Sequence, residues 1–204
     1  MIVLIDYELG NIGSILNMIK KAGQTATYSK DHSDIDSADK IILAGVGSFD
    51  TGINNLTKNE LIKILNQKVL IDHTPILGIC LGMQIMTIGS EEGLLPGFGW
   101  IDGYTNKFRF DKNEMKIPHM GWNNVKIVQE GLLYKNMYEN PRFYFVHSYY
   151  VTCNNEKEIL TTTNYGIEFV SSFQKENIMG TQFHPEKSHK YGLRLIKNFI
   201  EMEI

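Results

Sequence analysis

Cys80 lies in the segment Gly-Ile-Cys-Leu-Gly at residues 78–82, with one glycine two positions before the cysteine and another two positions after it. This spacing matches the nucleophile-elbow pattern, in which a reactive side chain occupies the apex of a tight turn from a strand into a helix. A sulfur at a helix N-terminus is favoured as the thiolate, and the N–H of Leu81 would face a developing oxyanion. The alternative is a small, buried structural cysteine, which is how we interpret Cys153.

His184 is the best candidate for the base that a thiol nucleophile needs, because a third group could hold its tautomer. It lies in the segment Gln-Phe-His-Pro-Glu-Lys-Ser at residues 182–188. Pro185 disfavours helix at His184, and in an extended chain His184 and Glu186 would point to the same side. The carboxylate could then accept Nδ1–H and leave Nε2 facing the sulfur. The alternatives are an unrelated surface turn, or a metal site, for which no further ligand stands at a zinc-like spacing.

Short apolar runs alternate with segments of helical apolar spacing in the first half of the chain, and one more segment of helical spacing lies at its end. This alternation predicts an α/β domain with a mainly parallel sheet. Between residues 97 and 174, aromatic and β-branched runs separated by polar turns predict that part of the sheet is antiparallel. The predicted strands are 2–5, 40–44 and 75–79, and the predicted helices are 14–22, 56–69, 81–88 and 192–202.

Bulk composition argues against several classes of protein. The 204 residues are 43% hydrophobic and 21% charged, which is ordinary for one folded domain. The 20 basic and 23 acidic residues give a net charge of −3 without a basic stripe, so we expect no nucleic-acid partner. No apolar run reaches the ~18 residues of a membrane span, and residues 1–6 do not resemble a signal peptide. With two cysteines, we expect free thiols in a cytoplasmic protein that does not contact membranes.

Five parts of the sequence together resemble the class I glutamine amidotransferases, whose triad is Cys, His and Glu. Two segments, Pro-His-Met-Gly-Trp-Asn at 118–123 and Phe-Val-His-Ser-Tyr at 145–149, are similar to the glutaminase subunits of imidazole glycerol phosphate synthases. The resemblance implies a flavodoxin-like three-layer α/β sandwich, with a mostly parallel central sheet and an antiparallel extension, as a single domain over residues 1–204. The matching parts are residues 6–11, 45–49, 78–84, 117–123 with 144–149, and 182–188.

The resemblance also implies a reaction. Cys80 would attack the carboxamide of glutamine, His184 would move protons, and Glu186 would orient His184. A γ-glutamyl thioester would form, ammonia would leave, and water would release glutamate, with no metal ion or organic cofactor. The loop at residues 45–47 resembles one that supplies a second oxyanion donor and rearranges when the partner is loaded. Ala44 precedes this loop, where many relatives have proline.

The glutamine pocket is also carried over from the resemblance, and its residues have structural alternatives. Gln84 could be merely exposed, and His147, like His119, could be a hydrogen-bonded structural histidine. The residues expected around the glutamine are Gly47, Leu81, Gln84, Glu92, His147, Ser148 and Tyr149.

A partner enzyme is implied, because no phosphate-binding loop or acceptor-substrate domain is visible in the chain. The resembled subunits form a heterodimer with a (β/α)8-barrel cyclase, through which ammonia reaches its acceptor in histidine biosynthesis. The resemblance places Asn11, Trp122, Tyr144 and Lys187 near this interface, and aromatic residues are common in interfaces.

The main alternative is a paralogous subunit that supplies ammonia to a synthase of surface-sugar biosynthesis. Residues 91–100 are more glycine- and proline-rich than we expect for the histidine enzyme, which points weakly toward it. A different cysteine hydrolase on the same fold is disfavoured by the His-Pro-Glu segment. A non-catalytic module is disfavoured because Cys80, His184 and Glu186 are all present.

Overall fold

Twelve strands and six α-helices are present in the part of the chain that the structure, a computed structural model, describes: residues 1–111 and 115–203. None of these helices is long and apolar enough to cross a membrane. The strands are β1 (Ile2–Ile5), β2 (Ala26–Ser29), β3 (Lys40–Gly45), β4 (Ile76–Cys80), β5 (Gly103–Lys107), β6 (His119–Asn124), β7 (Lys126–Ile127), β8 (Arg142–His147), β9 (Tyr149–Cys153), β10 (Ile159–Tyr165), β11 (Ile167–Lys175) and β12 (Ile178–Thr181). The helices are α1 (Ile12–Lys21), α2 (His32–Asp36), α3 (Phe49–Lys58), α4 (Leu61–Asn66), α5 (Leu81–Ile85) and α6 (His189–Glu201).

The central sheet runs parallel over five strands, in the spatial order β2-β1-β3-β4-β12. Strands β1, β3, β4 and β12 are buried along nearly their whole length. Strands β1, β3 and β4 are near-continuous apolar runs, which suits this position because both faces of the sheet are covered. The predicted parallel sheet is therefore confirmed.

Beyond β12 the sheet continues as an antiparallel extension through β11, β10 and β7. Strand β9 pairs with β11 and with β5, while β6 and β8 form a separate antiparallel pair. The antiparallel region predicted between residues 97 and 174 is thus confirmed, and so is the mixed α/β class.

Alternating side chains of the central strands pack against different helices, which makes three layers. On β3, Ile42 and Ala44 belong to one apolar cluster together with buried residues of α1 and α6. Ile41 and Leu43 belong to a second cluster, formed with residues of α2 to α5. Because successive side chains of a strand point to opposite faces, one short apolar strand supplies both cores.

The prediction of one helix over residues 56–69 is wrong. The chain turns at Glu60, whose φ is +56°, and α3 and α4 lie on either side of it. A π-helical turn over Gln67–Ile71 then follows α4. The apolar spacing indicates which side of each helix is buried. It does not reveal a single residue in the left-handed conformation between two helices.

The predicted helix over residues 81–88 ends earlier, at Ile85. The N–H that would close the last turn of a longer helix is taken by another segment. The N–H of Ile88 donates to the Gly103 carbonyl at 3.0 Å instead of to the Gln84 carbonyl, which accepts the N–H of Thr87 at 3.1 Å. Tertiary contacts therefore stop this helix after little more than one turn.

The turn from β4 into α5 brings main-chain segments very close together. Cys80 ends β4 and caps α5, with φ +55° and ψ −107°, a conformation that strains a residue with a side chain. A Cβ added at Gly78 would lie 2.8 Å from main-chain atoms of Gly82. A Cβ added at Gly82 would overlap the carbonyl oxygen of Leu43. The two glycines therefore allow α5 to press directly on β3 and β4.

We expect Gly82→Ala to destabilise the protein by at least about 3 kcal/mol or to prevent folding, because the new methyl group would overlap a main-chain oxygen. The matched control is Gly13→Ala in α1, where an added Cβ meets no atom within 4 Å. Since alanine favours helix over glycine, the control should be neutral or stabilised by up to roughly 1 kcal/mol. Urea denaturation followed by circular dichroism measures both, and equal stabilities would contradict this account of the turn.

Candidate active site

Three chain segments meet at the carboxyl ends of neighbouring parallel strands, where α/β sheets commonly bind ligands. Cys80 ends β4 and pairs in register with Gly45, the last residue of β3. On the other side of β4, Thr181 ends β12 and leads into Gln182 and His184. The sheet thus places the glycine loop, the cysteine and the histidine side by side.

His184 and Glu186 form a buried pair, with Nδ1 2.8 Å from Oε1 and both side chains only 2% exposed. The main chain is extended at His184, where Pro185 was expected to disfavour helix, but Pro185–Lys187 then forms a 3-10 turn. This turn, rather than side-chain alternation, brings the carboxylate back to the imidazole. The main chain of His184 is held as well, since its N–H donates to the Tyr144 carbonyl at 2.9 Å.

The opposite ring nitrogen of His184, Nε2, has no hydrogen-bond partner within the residues that the structure describes. Burial disfavours the charged imidazole, but the interactions with Cys80 and Glu186 outweigh it and raise the pKa of His184 to about 10. An imidazolium that persists at neutral pH beside a sulfur is suited to stabilise a thiolate and to protonate a leaving group.

Gln182 contacts the sulfur, although the motifs did not single it out as a site residue. Its Nε2 lies 3.8 Å from Cys80 Sγ, and its Oε1 accepts a hydrogen bond from Gln84 Nε2 at 3.1 Å. Gln84 is buried, not exposed, and its Nε2 also donates to the Tyr149 carbonyl at 3.2 Å. The position of Gln182 at a strand end, two residues before His184, is the signal that could have found it.

His119 and His147 form a buried hydrogen-bonded pair, with Nδ1 of His119 2.9 Å from Nε2 of His147. His147 Nδ1 lies 2.6 Å from the Tyr149 carbonyl oxygen, so both of its ring nitrogens are occupied. Burial lowers the pKa of His147 to about 3 and that of His119 to about 4, which keeps both rings neutral at pH 7. Within the described ranges, no group of three or more His, Cys, Asp or Glu residues could hold a metal ion.

Glu92 and Gly47 lie near the start of α3. Glu92 Oε2 accepts a hydrogen bond from the N–H of Phe49 at 2.9 Å, so the carboxylate stabilises the N-terminus of this helix. Burial raises the pKa of Glu92. Gly47 is exposed in the loop after β3, with a φ of +144° that favours glycine. Both residues remain predicted glutamine contacts.

The other candidate pocket residues lie near the same edge of the sheet, and most of their observed contacts are made by main-chain atoms. Leu81 is buried at the first position of α5. Ser148 connects β8 to β9, and its carbonyl accepts a hydrogen bond from the N–H of Phe108 at 3.1 Å. Tyr149 begins β9, and its carbonyl oxygen is shared by His147 and Gln84. Contacts of Leu81, Ser148, Tyr149 and His147 with glutamine stay predictions.

Tyr7 is a buried residue near the site that the motifs did not single out. Its side chain is inaccessible, and its hydroxyl has no partner among the residues that the structure describes. The hydroxyl occupies the space that a Cβ at Gly45 would need. Burial, and then the nearby Cys80, raise the pKa of Tyr7. Position 45 must therefore be glycine, because any larger residue would collide with the Tyr7 side chain.

Three of the four predicted interface residues form one surface group, made of the exposed Trp122 and Lys187 and the half-buried Tyr144. Lys187 Nζ lies 5.7 Å from the centre of the Tyr144 ring, and the Trp122 and Tyr144 rings are 6.4 Å apart. Trp122 is 42% exposed and also stacks on His189. Asn11 is exposed at the N-cap of α1, a helix that contacts the turn at residues 185–187.

Comparison with known proteins agrees with this geometry. Residues 3–202 match the family model of glutamine amidotransferase class-I. The chain is 56% identical to imidazole glycerol phosphate synthase subunit HisH 2 of Methanococcus maripaludis, over 98% of this chain and 99% of that protein. It is 47% identical to subunit HisH 2 of Pseudomonas aeruginosa, over 99% of this chain and 100% of that protein. A solved structure of a glutamine amidotransferase superposes with a TM-score of 0.74 at 15% identity, covering 98% of this chain and 97% of the other.

The solved structure bears on the fold alone, and it confirms the flavodoxin-like α/β class predicted from the sequence. The chain belongs to the class I glutamine amidotransferases. Within that family, the two relatives place it among the HisH subunits of imidazole glycerol phosphate synthase, which confirms the resemblance found in the motifs.

We expect His184 to titrate near pH 10 in the wild type and at lower pH in Cys80→Ala, because the sulfur contributes to the raised pKa. Since this pKa lies above the ordinary 6.5, the charged ring stabilises the fold at low pH, and that stabilisation is lost as pH rises through about 10. NMR titration of the ring resonances measures the shift. Identical titration in both proteins would refute the coupling.

The buried histidine pair should make the protein sensitive to acid. Because the pKa of His147 is about 3 in the folded chain, against an ordinary 6.5, the unfolded chain binds the extra proton first. Stability should fall as pH drops below 6.5, by at most about 1.4 kcal/mol per pH unit for this ring. His147→Gln should flatten the pH dependence of urea unfolding, whereas the exposed His32→Gln should leave it unchanged.

Proposed function

We propose that this chain hydrolyses glutamine to glutamate and ammonia through a triad of Cys80, His184 and Glu186. The observation that carries the proposal is the buried His184–Glu186 pair, 2.8 Å from Nδ1 to Oε1, beside a cysteine in a strained strand-to-helix turn. Membership of the amidotransferase family supports the substrate, and the elbow geometry supports the role of the sulfur.

The chemistry proceeds in two stages. The Cys80 thiolate attacks the carboxamide carbon of glutamine, and the resulting oxyanion is held by the N–H of Leu81 and by a donor from the loop at residues 45–47. His184 gives a proton to the departing nitrogen, ammonia leaves, and a γ-glutamyl thioester remains on the sulfur. His184 then takes a proton from water, whose oxygen attacks the thioester to release glutamate and restore Cys80. Glu186 holds the Nδ1–H tautomer throughout.

The glutamine would lie over the carboxyl edge of the sheet, between the loop at residues 45–47 and the start of β9. Gln84, Tyr149 and Glu92 are the candidates for binding its polar groups. The Gln84 side chain is buried, which supports an amide of fixed position on this side of the pocket. Residues 1–204 act together in this proposal as a single amidotransferase domain.

The proposed function includes transfer of the ammonia to a partner enzyme. Both relatives are named as subunits of imidazole glycerol phosphate synthase, which supports a heterodimer with the (β/α)8-barrel cyclase subunit in histidine biosynthesis. The surface group of Trp122, Tyr144 and Lys187 supports a docking face near the triad, because the main-chain carbonyl of Tyr144 accepts the N–H of His184 at 2.9 Å. A partner seated there would cover the site and receive the ammonia.

We expect glutamate release from glutamine to be low for the isolated chain and strongly raised by the cyclase together with its nucleotide substrate. Cys80→Ala should abolish release, and Glu186→Gln should lower kcat by roughly 10²- to 10⁴-fold because the imidazole loses its orienting carboxylate. Cys153→Ala is the matched control and should keep full activity, since burial raises the pKa of that thiol to about 12 and leaves it unreactive.

The outcomes separate the two destinations of the ammonia. Cys80-dependent release that responds to the histidine-pathway cyclase supports the proposal in full. Cys80-dependent release that ignores this cyclase supports the triad and assigns the chain to the alternative, a paralogous subunit serving surface-sugar biosynthesis. Absence of Cys80-dependent glutamate release, both with and without the cyclase, would overturn the glutaminase assignment.

A further inference from the structure

Gln182 is the fully buried side chain that approaches the nucleophile from β12. It is 0% exposed, and its Nε2 lies 3.8 Å from Cys80 Sγ, within reach of an N–H···S hydrogen bond. A buried amide must satisfy both its oxygen and its nitrogen, because an unpaired polar group in the interior destabilises the fold. The identity of the atom that faces the sulfur therefore matters to the chemistry.

A main-chain oxygen fixes the orientation of this amide. The carbonyl of Tyr149 can only accept, so Gln84 must turn its NH2 group toward it, at 3.2 Å. The second N–H of the same group points to Gln182, whose nearer atom must then be the oxygen, at 3.1 Å. What remains for the sulfur is the NH2 group of Gln182. A flipped Gln182 would place two donors together and an amide oxygen against a thiolate.

The histidine pair holds the same carbonyl in place from the other side. Because a carbonyl accepts only, His147 donates through Nδ1, and its neutral ring must accept at Nε2 from His119 Nδ1–H. His119 in turn accepts at Nε2 from the amide of Asn123, 3.2 Å away. Every donor and acceptor in this sequence of contacts is thus determined, from β6 to the nucleophile.

We propose that Gln182 is a further catalytic residue, which donates an amide N–H to Cys80 Sγ and stabilises the thiolate, with Gln84 as the positioning residue that sets its orientation. This inference rests on the proposed function of Cys80. The proton leaves the thiol for His184, while the N–H of Gln182 stays on its nitrogen and only hydrogen-bonds to the negative sulfur. The same bond assists the second stage, when the thioester breaks and the electron pair returns to the sulfur.

The test is the rate at which iodoacetamide alkylates Cys80 in the intact chain, measured by mass spectrometry as a function of pH. Three side chains of similar size are compared at position 182. Gln182→Met keeps the volume but lacks the donor, and should slow alkylation at pH 7 about tenfold. Gln182→Glu is nearly isosteric but places a negative charge beside the sulfur, and should slow it about a hundredfold. The half-maximal rate should move to higher pH in the same order.

Gln182→Met distinguishes the donor role from packing, because it keeps the volume and adds no charge. If Gln182 only filled space, the Met variant would react like the wild type and only the charged Glu variant would be slowed, whereas the proposal expects both variants to be slow. Gln84→Met should slow alkylation as well, because the Gln182 amide is then free to rotate. Gln174→Met, on β11, is the matched control and should react like the wild type, since Gln174 bonds instead to the carbonyl of Glu176.

Glutamine turnover measured beside the alkylation separates the two proposals. A wild-type chain that releases glutamate, with an alkylation profile unchanged in Gln182→Met, would overturn the role of Gln182 and leave the triad standing. A Gln182→Met profile that shifts to higher pH supports the donor role. If either Gln182 variant fails to fold by circular dichroism, the Gln84→Met profile decides, and an unshifted profile there counts against the proposal.

Discussion

The tight passage of the chain from β4 into α5 is the constraint on which the rest of the site depends. It puts Cys80 at a positive φ at the carboxyl end of a central strand, and two flanking glycines permit it because no side chain fits between α5 and β3. The strands on either side of β4 then place the other residues of the site next to the cysteine. β3 ends opposite it at Gly45, and β12 delivers Gln182 and His184.

Burial acts in opposite ways on the histidines of this site. Among the residues that the structure describes, no acid compensates His119 and His147 for lost solvation, so burial lowers their pKa values and the rings serve as neutral, directional hydrogen-bonding groups. Around His184 the same loss of solvation is outweighed by Cys80 and Glu186, so its pKa rises and the ring can carry charge. Neighbouring acids, rather than depth, decide which ring takes part in proton transfer.

The sequence was sufficient where a local steric rule applies. The glycines around Cys80 reveal the turn because the collision that they avoid involves residues close by in the chain, and short apolar runs reveal strands covered on both faces. It was insufficient where partners are far apart. Gln182 and Cys80 are 102 residues apart, Gln84 and Gln182 are 98 apart, and no spacing rule joins them. The break at Glu60 and the Pro185–Lys187 turn are single backbone choices that periodicity does not register.

One atom, the carbonyl oxygen of Tyr149, receives both His147 and Gln84 and so sets the direction of every amide up to the sulfur. This atom belongs to the backbone, so no substitution of the tyrosine side chain deletes it. The orientation of the Gln84 and Gln182 amides therefore does not depend on which side chain stands at position 149. We expect the same orientation in homologues that have a different residue there. Ranking positions by side-chain identity alone would pass over the atom that aligns them.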